Sequence, residues 1–267
     1  MDFYAYIANV ENPKTAKTYN SIYNKHLKQF EDKKKKVVGI ASIMNYIDKL
    51  DKSASTKKAI YSLLINISKD NSMKHMWREN QEQMNKAKLK EQVVRMAKKA
   101  EVLPAKEQLV EHMKTQFKVE NWAGFIINFL LINYNVRNQD LELQLVFKKG
   151  DVKKGGNYIV VRKNDCVYIR GDYKTHSKYG DKTFLIRSKL FHHACSTLMG
   201  LGKDTLFHTK NIAQEVAGYT YDGLSESDYN KVMVSSLDLN KNKEKLLEIS
   251  KRRGTSVELL LSTYKVR

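Results

Sequence analysis

The segment Trp122–Tyr134 constrains the fold most, because it is apolar on most sides of a helix. A helix of this kind is covered on every face and lies inside a domain. The longest apolar run, 122–132, is interrupted by Asn128 and falls short of the about 18 apolar residues that cross a bilayer. We therefore predict a buried core helix, and no membrane partner.

Short strands are predicted after this helix, and helices on either side of them. Alternation with β-branched or aromatic residues predicts strands at 141–147, 158–162, 166–170 and 183–186. Helical periodicity and capping residues predict helices at 13–30, 40–50, 53–67 and 106–117, and again after Lys189. The predicted fold class is mainly α with a small antiparallel β-sheet, an α+β arrangement.

Composition changes along the chain predict three parts. Residues 1–72 read as a small helical module with capped helices and basic faces. Residues 73–104 are polar, lack glycine, are rich in Lys, Gln and Met, and predict a basic helical linker that ends at Pro104. Residues 105–267 form the larger predicted domain.

The 267 residues carry a formal net charge of +19, which favours a polyanionic partner, nucleic acid first and a membrane surface second. The N-terminus has no basic stretch followed by an apolar one, so no signal peptide is predicted. Cys166 and Cys195 lack the spacing of a disulfide framework or a metal site. They predict reduced, buried thiols and an intracellular location, cytoplasmic or nuclear.

Arg137 follows directly on the apolar helix, with Asp140 three residues later. A guanidinium on so rigid a base suits two phosphate oxygens. The alternative is a surface arginine paired with Asp140. Residues 173–182 join two predicted strands and hold three lysines. This basic turn fits a DNA groove, where Lys174 would protonate a departing oxygen; the alternative is a solvated hairpin tip.

Ser225 and Asp228 open a helix with Lys231 one turn further on; its alternative is an ordinary helix start with a solvent lysine. His208 is interpreted as a loop histidine rather than a catalytic group. His192 and His193 have no acidic or cysteine partner at ligand spacing, so no metal or other cofactor is predicted.

The chain ends with a basic turn, 251–256, followed by a short helix and Tyr264. Delivery of a tyrosine to a DNA phosphate requires a basic anchor and a short helix that fixes its reach. The alternative is a surface aromatic residue near a frayed end.

With these residues together, the chain resembles the tyrosine recombinases, or phage-integrase-like proteins, including divergent viral members, over nearly its whole length. Residues 1–72 look like the helical core-binding domain that clamps DNA, and 105–267 like the catalytic domain. Residues 130–141 are similar to the first-arginine motif, and Lys174 to the lysine of the family's β-hairpin. Thr255 stands in the His/Trp place, at the family's spacing of nine residues before the nucleophile, Tyr264.

The second-arginine box, normally His-x-x-Arg, departs from the family pattern. Asp228 and Lys231 stand at its distance from Tyr264, whereas 208–211 lies too early and has no arginine. The resemblance therefore implies Asp228 in the histidine place and Lys231 in the arginine place. Only three residues follow Tyr264, where many relatives have a helix that docks on a neighbouring protomer.

The resemblance implies metal-independent cleavage and religation of double-stranded DNA through a 3′-phosphotyrosyl intermediate, with a dimer or tetramer assembling on the DNA. Tyr264 would attack, Arg137 and Lys231 would hold the phosphate oxygens, and Lys174 would protonate the leaving 5′-oxygen. The basic residues predicted to contact DNA are Lys14, Lys17, Lys178, Arg252 and Arg253. Two alternatives stay open: a recombinase fold that only binds DNA, and a type IB topoisomerase.

Overall fold

The computed structural model describes residues 1–207, 211–238 and 241–265. The chain forms two compact units, Met1–Lys98 and Lys99–Arg267. Within the described residues, no helix is both long and apolar enough to cross a membrane.

The first unit is helical. Its helices are α1 (Phe3–Ile7), α2 (Pro13–Ile22), α3 (Ile40–Lys49), α4 (Ala54–Ile67) and α5 (Asn71–Val102), the last of which runs into the first residues of the second unit. Asn12 accepts hydrogen bonds from the N–H groups of Lys14 and Thr15, and Ser53 caps α4, as the capping pattern predicts.

Aromatic residues form much of the core of the first unit. The rings of Phe3 and Tyr23 stack with centroids 3.8 Å apart, and Tyr61 packs beside Trp77. Trp77 lies near the start of α5 and is fully buried. The first turns of the predicted linker therefore belong to this core.

The second unit surrounds the apolar helix. Its helices are α6 (Lys106–Lys118), α7 (Trp122–Tyr134), α8 (His176–Tyr179), α9 (Lys189–Gly200), α10 (Ile212–Tyr219), α11 (Glu226–Ser235), α12 (Lys243–Arg253) and α13 (Val257–Tyr264). Helix α7 is buried along most of its length, so the predicted core helix is confirmed. Asn128, its buried polar residue, donates to the carbonyl oxygens of Gly124 at 2.7 Å and Tyr219 at 2.8 Å.

The four strands lie in chain order in one sheet: β1 (Leu143–Val146), β2 (Asn157–Val161), β3 (Cys166–Arg170) and β4 (Lys182–Ile186). Strands β2, β3 and β4 pair antiparallel, but β1 pairs parallel to β2. The predicted fold class, mainly α with a small β-sheet, is confirmed, but the sheet is mixed rather than antiparallel because of β1. Residues 147–156 do not form a tight hairpin, and this longer connection lets β2 run in the direction of β1.

Cys166 on β3 and Cys195 on α9 are both free and buried, as predicted. Burial raises the pKa of the Cys195 thiol well above its usual value, and a hydrogen bond with Cys166 raises it further. Both thiols thus behave as small apolar core groups.

Helix α13 is held against α11 and α12 by a small apolar cluster. Its fully buried member from α13 is Leu260, which packs with Val234 of α11 and Ile249 of α12. Lys265 Nζ then donates to the carbonyl oxygens of Ser235 at 3.1 Å and Leu237 at 2.9 Å. A cation at the C-terminal end of α11 is favourable. This contact of Lys265 therefore fixes the position of α13.

Candidate active site

The site is built around the C-terminal end of α12. The helix ends because Gly254 adopts a left-handed conformation with φ of 65°, a common helix terminator. A β-carbon at Gly254 would lie 2.4 Å from Thr175 Oγ1, so the close approach of the β3–β4 connection also requires glycine.

Four side chains from other parts of the unit donate to the carbonyl groups of residues 251–254, the end of α12 and its capping glycine. Arg170 Nη1 donates to the carbonyl oxygen of residue 252 at 2.7 Å and Arg137 Nη1 to that of residue 253 at 2.8 Å. Thr175 Oγ1 donates to that of residue 254 at 3.1 Å. Lys182 Nζ donates to the carbonyl oxygen of residue 251. Helix C-terminal carbonyls lack partners within the helix, and positive groups satisfy them well.

Arg137 is half-buried beside other charges. Its backbone N–H donates to Asp140 Oδ2 at 2.8 Å. Burial lowers the pKa of the Arg137 guanidinium, and Arg253 lowers it further, while Asp140, Tyr264 and Glu226 raise it. The Arg137 side chain is thus held next to Arg253, to whose carbonyl oxygen it donates.

A buried ion pair supports this position. Arg170 Nη2 bonds Asp140 Oδ2, and neither side chain has any solvent exposure. The Tyr168 hydroxyl donates to the Asp140 carbonyl oxygen at 2.9 Å. The same carboxylate oxygen thus holds both the Arg137 backbone and the Arg170 side chain.

Arg253 meets Tyr264 directly. Its Nη2 donates to Tyr264 Oη at 2.5 Å and to Glu226 Oε1 at 2.5 Å, and its side chain is only 3% exposed. Its Cζ lies 4.7 Å from the centroid of the Tyr264 ring. Arg253 Nη1 donates to the Asn135 carbonyl oxygen at 3.0 Å. The guanidinium is therefore a fixed part of the site rather than a surface charge.

Lys182 is the lysine that the structure brings to this site. It begins β4 and pairs in register with Arg170 on β3. Burial lowers the pKa of the Lys182 amine to about 8, and Arg170 and Arg137 contribute to the shift. Lys174, the lysine indicated by the sequence, is exposed. The sequence signal for Lys182 was its place at the base of the hairpin, opposite another cation.

Asp228 and Lys231 pair with each other at 3.1 Å, and Lys99 Nζ lies 2.6 Å from the same Asp228 oxygen. Burial acts to raise the pKa of Asp228, but hydrogen bonds from Lys99, Ser225 and Lys231 bring it below its ordinary value. Within the described part of the chain, the contacts of this pair do not include Arg137 or Tyr264. The acidic residue of α11 in the site is Glu226, which sequence reasoning missed.

Comparison of the chain with protein-family models, with curated proteins and with solved structures gave no match.

The other predicted catalytic residue, Thr255, lies at the edge of the site. Its backbone N–H donates to the Ser250 carbonyl oxygen at 3.1 Å, and its own carbonyl oxygen accepts from Ser250 Oγ at 2.6 Å. These two bonds form the turn between α12 and α13. His208, the loop histidine, lies outside the described residues.

The residues predicted to contact DNA fall in different places. Lys14 and Lys17 are exposed on α2 in the first unit, and Lys178 is exposed on α8. Arg252 is half-buried: it bonds the Asn133 carbonyl oxygen and Glu248, and lies over the Tyr134 ring. Arg253 is in the site as described above.

No group of three His, Cys, Asp or Glu side chains able to hold a metal ion occurs within residues 1–207, 211–238 and 241–265. His192 instead lies with Nε2 2.6 Å from the Arg162 carbonyl oxygen.

Proposed function

We propose that this chain cleaves and rejoins double-stranded DNA with Tyr264 as the nucleophile, in the manner of the tyrosine recombinases that its sequence resembles. One observation carries the proposal: the Tyr264 hydroxyl is hydrogen-bonded to the guanidinium of Arg253, whose carbonyl oxygen holds Arg137. Arg137 lies 116 residues before Arg253 in sequence and meets it in the fold.

Two guanidinium groups give this site its anion-binding chemistry. Arg137 and Arg253 would each present a planar fork to non-bridging phosphate oxygens and stabilise the charge that develops in the transition state. A free tyrosine has a pKa of about 10, so attack at neutral pH requires positive charge nearby. Arg253 thus takes the role that the sequence assigned to Lys231.

The proposed reaction exchanges one phosphoester bond for another. The Tyr264 oxygen bonds to phosphorus as its proton passes to water, and the bond from phosphorus to the 5′-oxygen breaks. The 5′-oxygen takes a proton from Lys182, which replaces Lys174 as the proposed general acid because it and Arg137 both donate to carbonyl groups at the end of α12. The 3′-phosphotyrosyl link keeps the bond energy for religation.

Covalent capture tests this function. A random-sequence pool of duplexes, each with a nick that lets the released fragment with the free 5′-hydroxyl diffuse away, is incubated with the protein in chelator. We expect a protein–DNA adduct whose linked peptide contains Tyr264. An adduct on another residue, or no adduct across the pool despite DNA binding, would overturn the proposal. Relaxation of supercoiled DNA without strand exchange would favour the topoisomerase alternative.

A DNA-binding protein without cleavage activity is the second candidate. Its support is the ion pair between Lys231 and Asp228, which stands where the resemblance expects a free arginine. This candidate predicts salt-dependent DNA binding, since contacts with phosphates release counterions, but no adduct.

The rate of adduct formation is expected to fall as pH rises through about 8, the lowered pKa of Lys182. The amine must carry a proton to donate it, and above that pH the proton is lost. In Lys182→Arg the side chain stays protonated, so the fall in the rate of adduct formation is expected at higher pH. Lys174→Arg is expected to have the same pH profile as the wild type. Single-turnover rates across this pH interval measure the effect; a displaced profile in Lys174→Arg alone would contradict it.

A further inference from the structure

Glu226, the first residue of α11, occupies the anion position of the site. Its Oε1 lies 2.5 Å from Arg253 Nη2, and its Oε2 accepts a long hydrogen bond of 3.4 Å from the backbone N–H of Asn138. The side chain is 14% exposed. Its charge also raises the pKa of Arg137. The carboxylate therefore lies among the donors that a phosphate would use.

The donors around Glu226 are not fully used. The buried Arg253 Nε has no hydrogen-bond partner within the described residues. A carboxylate offers two oxygens, while a phosphodiester in the same place offers non-bridging and bridging oxygens in a tetrahedral arrangement. A phosphate thus suits a site with several converging donors better than the carboxylate does.

The carboxylate also lies close to the nucleophile. Glu226 Oε1 and Tyr264 Oη are each 2.5 Å from the same nitrogen of Arg253, so they are separated by no more than twice that distance. Negative charge here opposes the formation of a second negative charge on the tyrosine oxygen. Glu226 in this position therefore opposes both phosphate binding and attack.

Resting on the function proposed above, we propose that Glu226 is an internal substitute for the DNA phosphate, which keeps the site inactive until a phosphodiester displaces it. Asn230 provides a place for the displaced side chain. It lies one turn along α11, and its Nδ2 is 3.4 Å from Glu226 Oε1.

Glu226→Gln tests the inference, because it keeps the size of the side chain and removes its charge. We expect the variant to bind inorganic phosphate at least about tenfold more tightly than the wild type, a change of about 1.4 kcal/mol. Calorimetric titration with inorganic phosphate measures this affinity. Adduct formation on the nicked pool is expected to be faster. The matched control is Glu248→Gln, which removes the acidic partner of the neighbouring Arg252 and should change neither measurement.

The outcomes separate this inference from the proposed function. Unchanged phosphate affinity in Glu226→Gln overturns the inference, even where the wild type forms the adduct. Tighter phosphate binding with slower adduct formation also overturns it, because Glu226 would then be accepting the tyrosine proton. Tighter binding with no adduct in either protein supports an anion site closed by Glu226 and refutes DNA cleavage. If the glutamine variant does not fold, Glu226→Asp, which withdraws the carboxylate by one methylene, is expected to show a smaller gain.

Discussion

Tyr264→Phe is expected to abolish the covalent protein–DNA adduct while the protein still folds and binds DNA. The change removes the attacking oxygen and keeps the ring that packs against Arg253. Loss of a catalytic nucleophile lowers rates by on the order of 10⁶-fold. The cost in stability is small, about 1 kcal/mol for one hydrogen bond. Adduct yield on the nicked pool and DNA affinity by fluorescence anisotropy measure the two effects.

Tyr179→Phe is the matched control, since Tyr179 is an exposed tyrosine whose ring lies near Lys182. It loses a hydroxyl as Tyr264→Phe does, yet should form the adduct at the wild-type rate. Adduct formation by Tyr264→Phe at the wild-type level would place the nucleophile elsewhere. Loss of DNA binding in Tyr264→Phe would show that the hydroxyl has a structural role.

Asp140→Ala is expected to lower the free energy of unfolding by about 3–5 kcal/mol, because it leaves the charge of Arg170 buried without its partner. The Arg137 backbone N–H loses its acceptor in the same change. This loss is a large fraction of the roughly 5–15 kcal/mol that stabilises a typical domain. Urea unfolding, followed by tryptophan fluorescence and circular dichroism, measures it.

Asp165→Ala provides the contrast, because Asp165 pairs with Arg162 in solvent. Exposed pairs contribute little, so this variant should unfold close to the wild-type midpoint. The double variant Asp140→Leu with Arg170→Met should recover part of the stability, since apolar residues can replace a buried ion pair. Equal losses in Asp140→Ala and Asp165→Ala would contradict the importance given to burial.

The sequence predicted the elements well wherever a local pattern decides them. The bounds of α7 and β3 agree with the prediction, and Asn12, Ser53 and Ser225 cap their helices. It could not predict the direction of β1, because alternation is the same in parallel and antiparallel strands.

The site residues stay predictions, and geometry explains which of them the fold brings together. Arg137 and Tyr264 were identified from the residues around them, and both contact Arg253 in the fold. Lys231 pairs with Asp228 instead, because it lies five residues after Glu226 and such a step along a helix turns a side chain to another face. Arg253 was predicted to contact DNA, but its burial against Tyr264 could not be predicted, since the chain alone does not show which side of α12 is buried. The place of Lys182 in the site follows from the register between β3 and β4, which sets it opposite Arg170.

The end of α12 gives the second unit a common point of reference. Side chains from the α7 end, from β3, from the β3–β4 connection and from β4 are all anchored on consecutive carbonyl groups, 251–254. A shift of this helix end moves every anchor at once. The changes in unfolding free energy caused by substitution of two anchoring side chains should therefore be coupled rather than additive. The second substitution should cost less in the variant than in the wild type, because the first has already displaced the helix end.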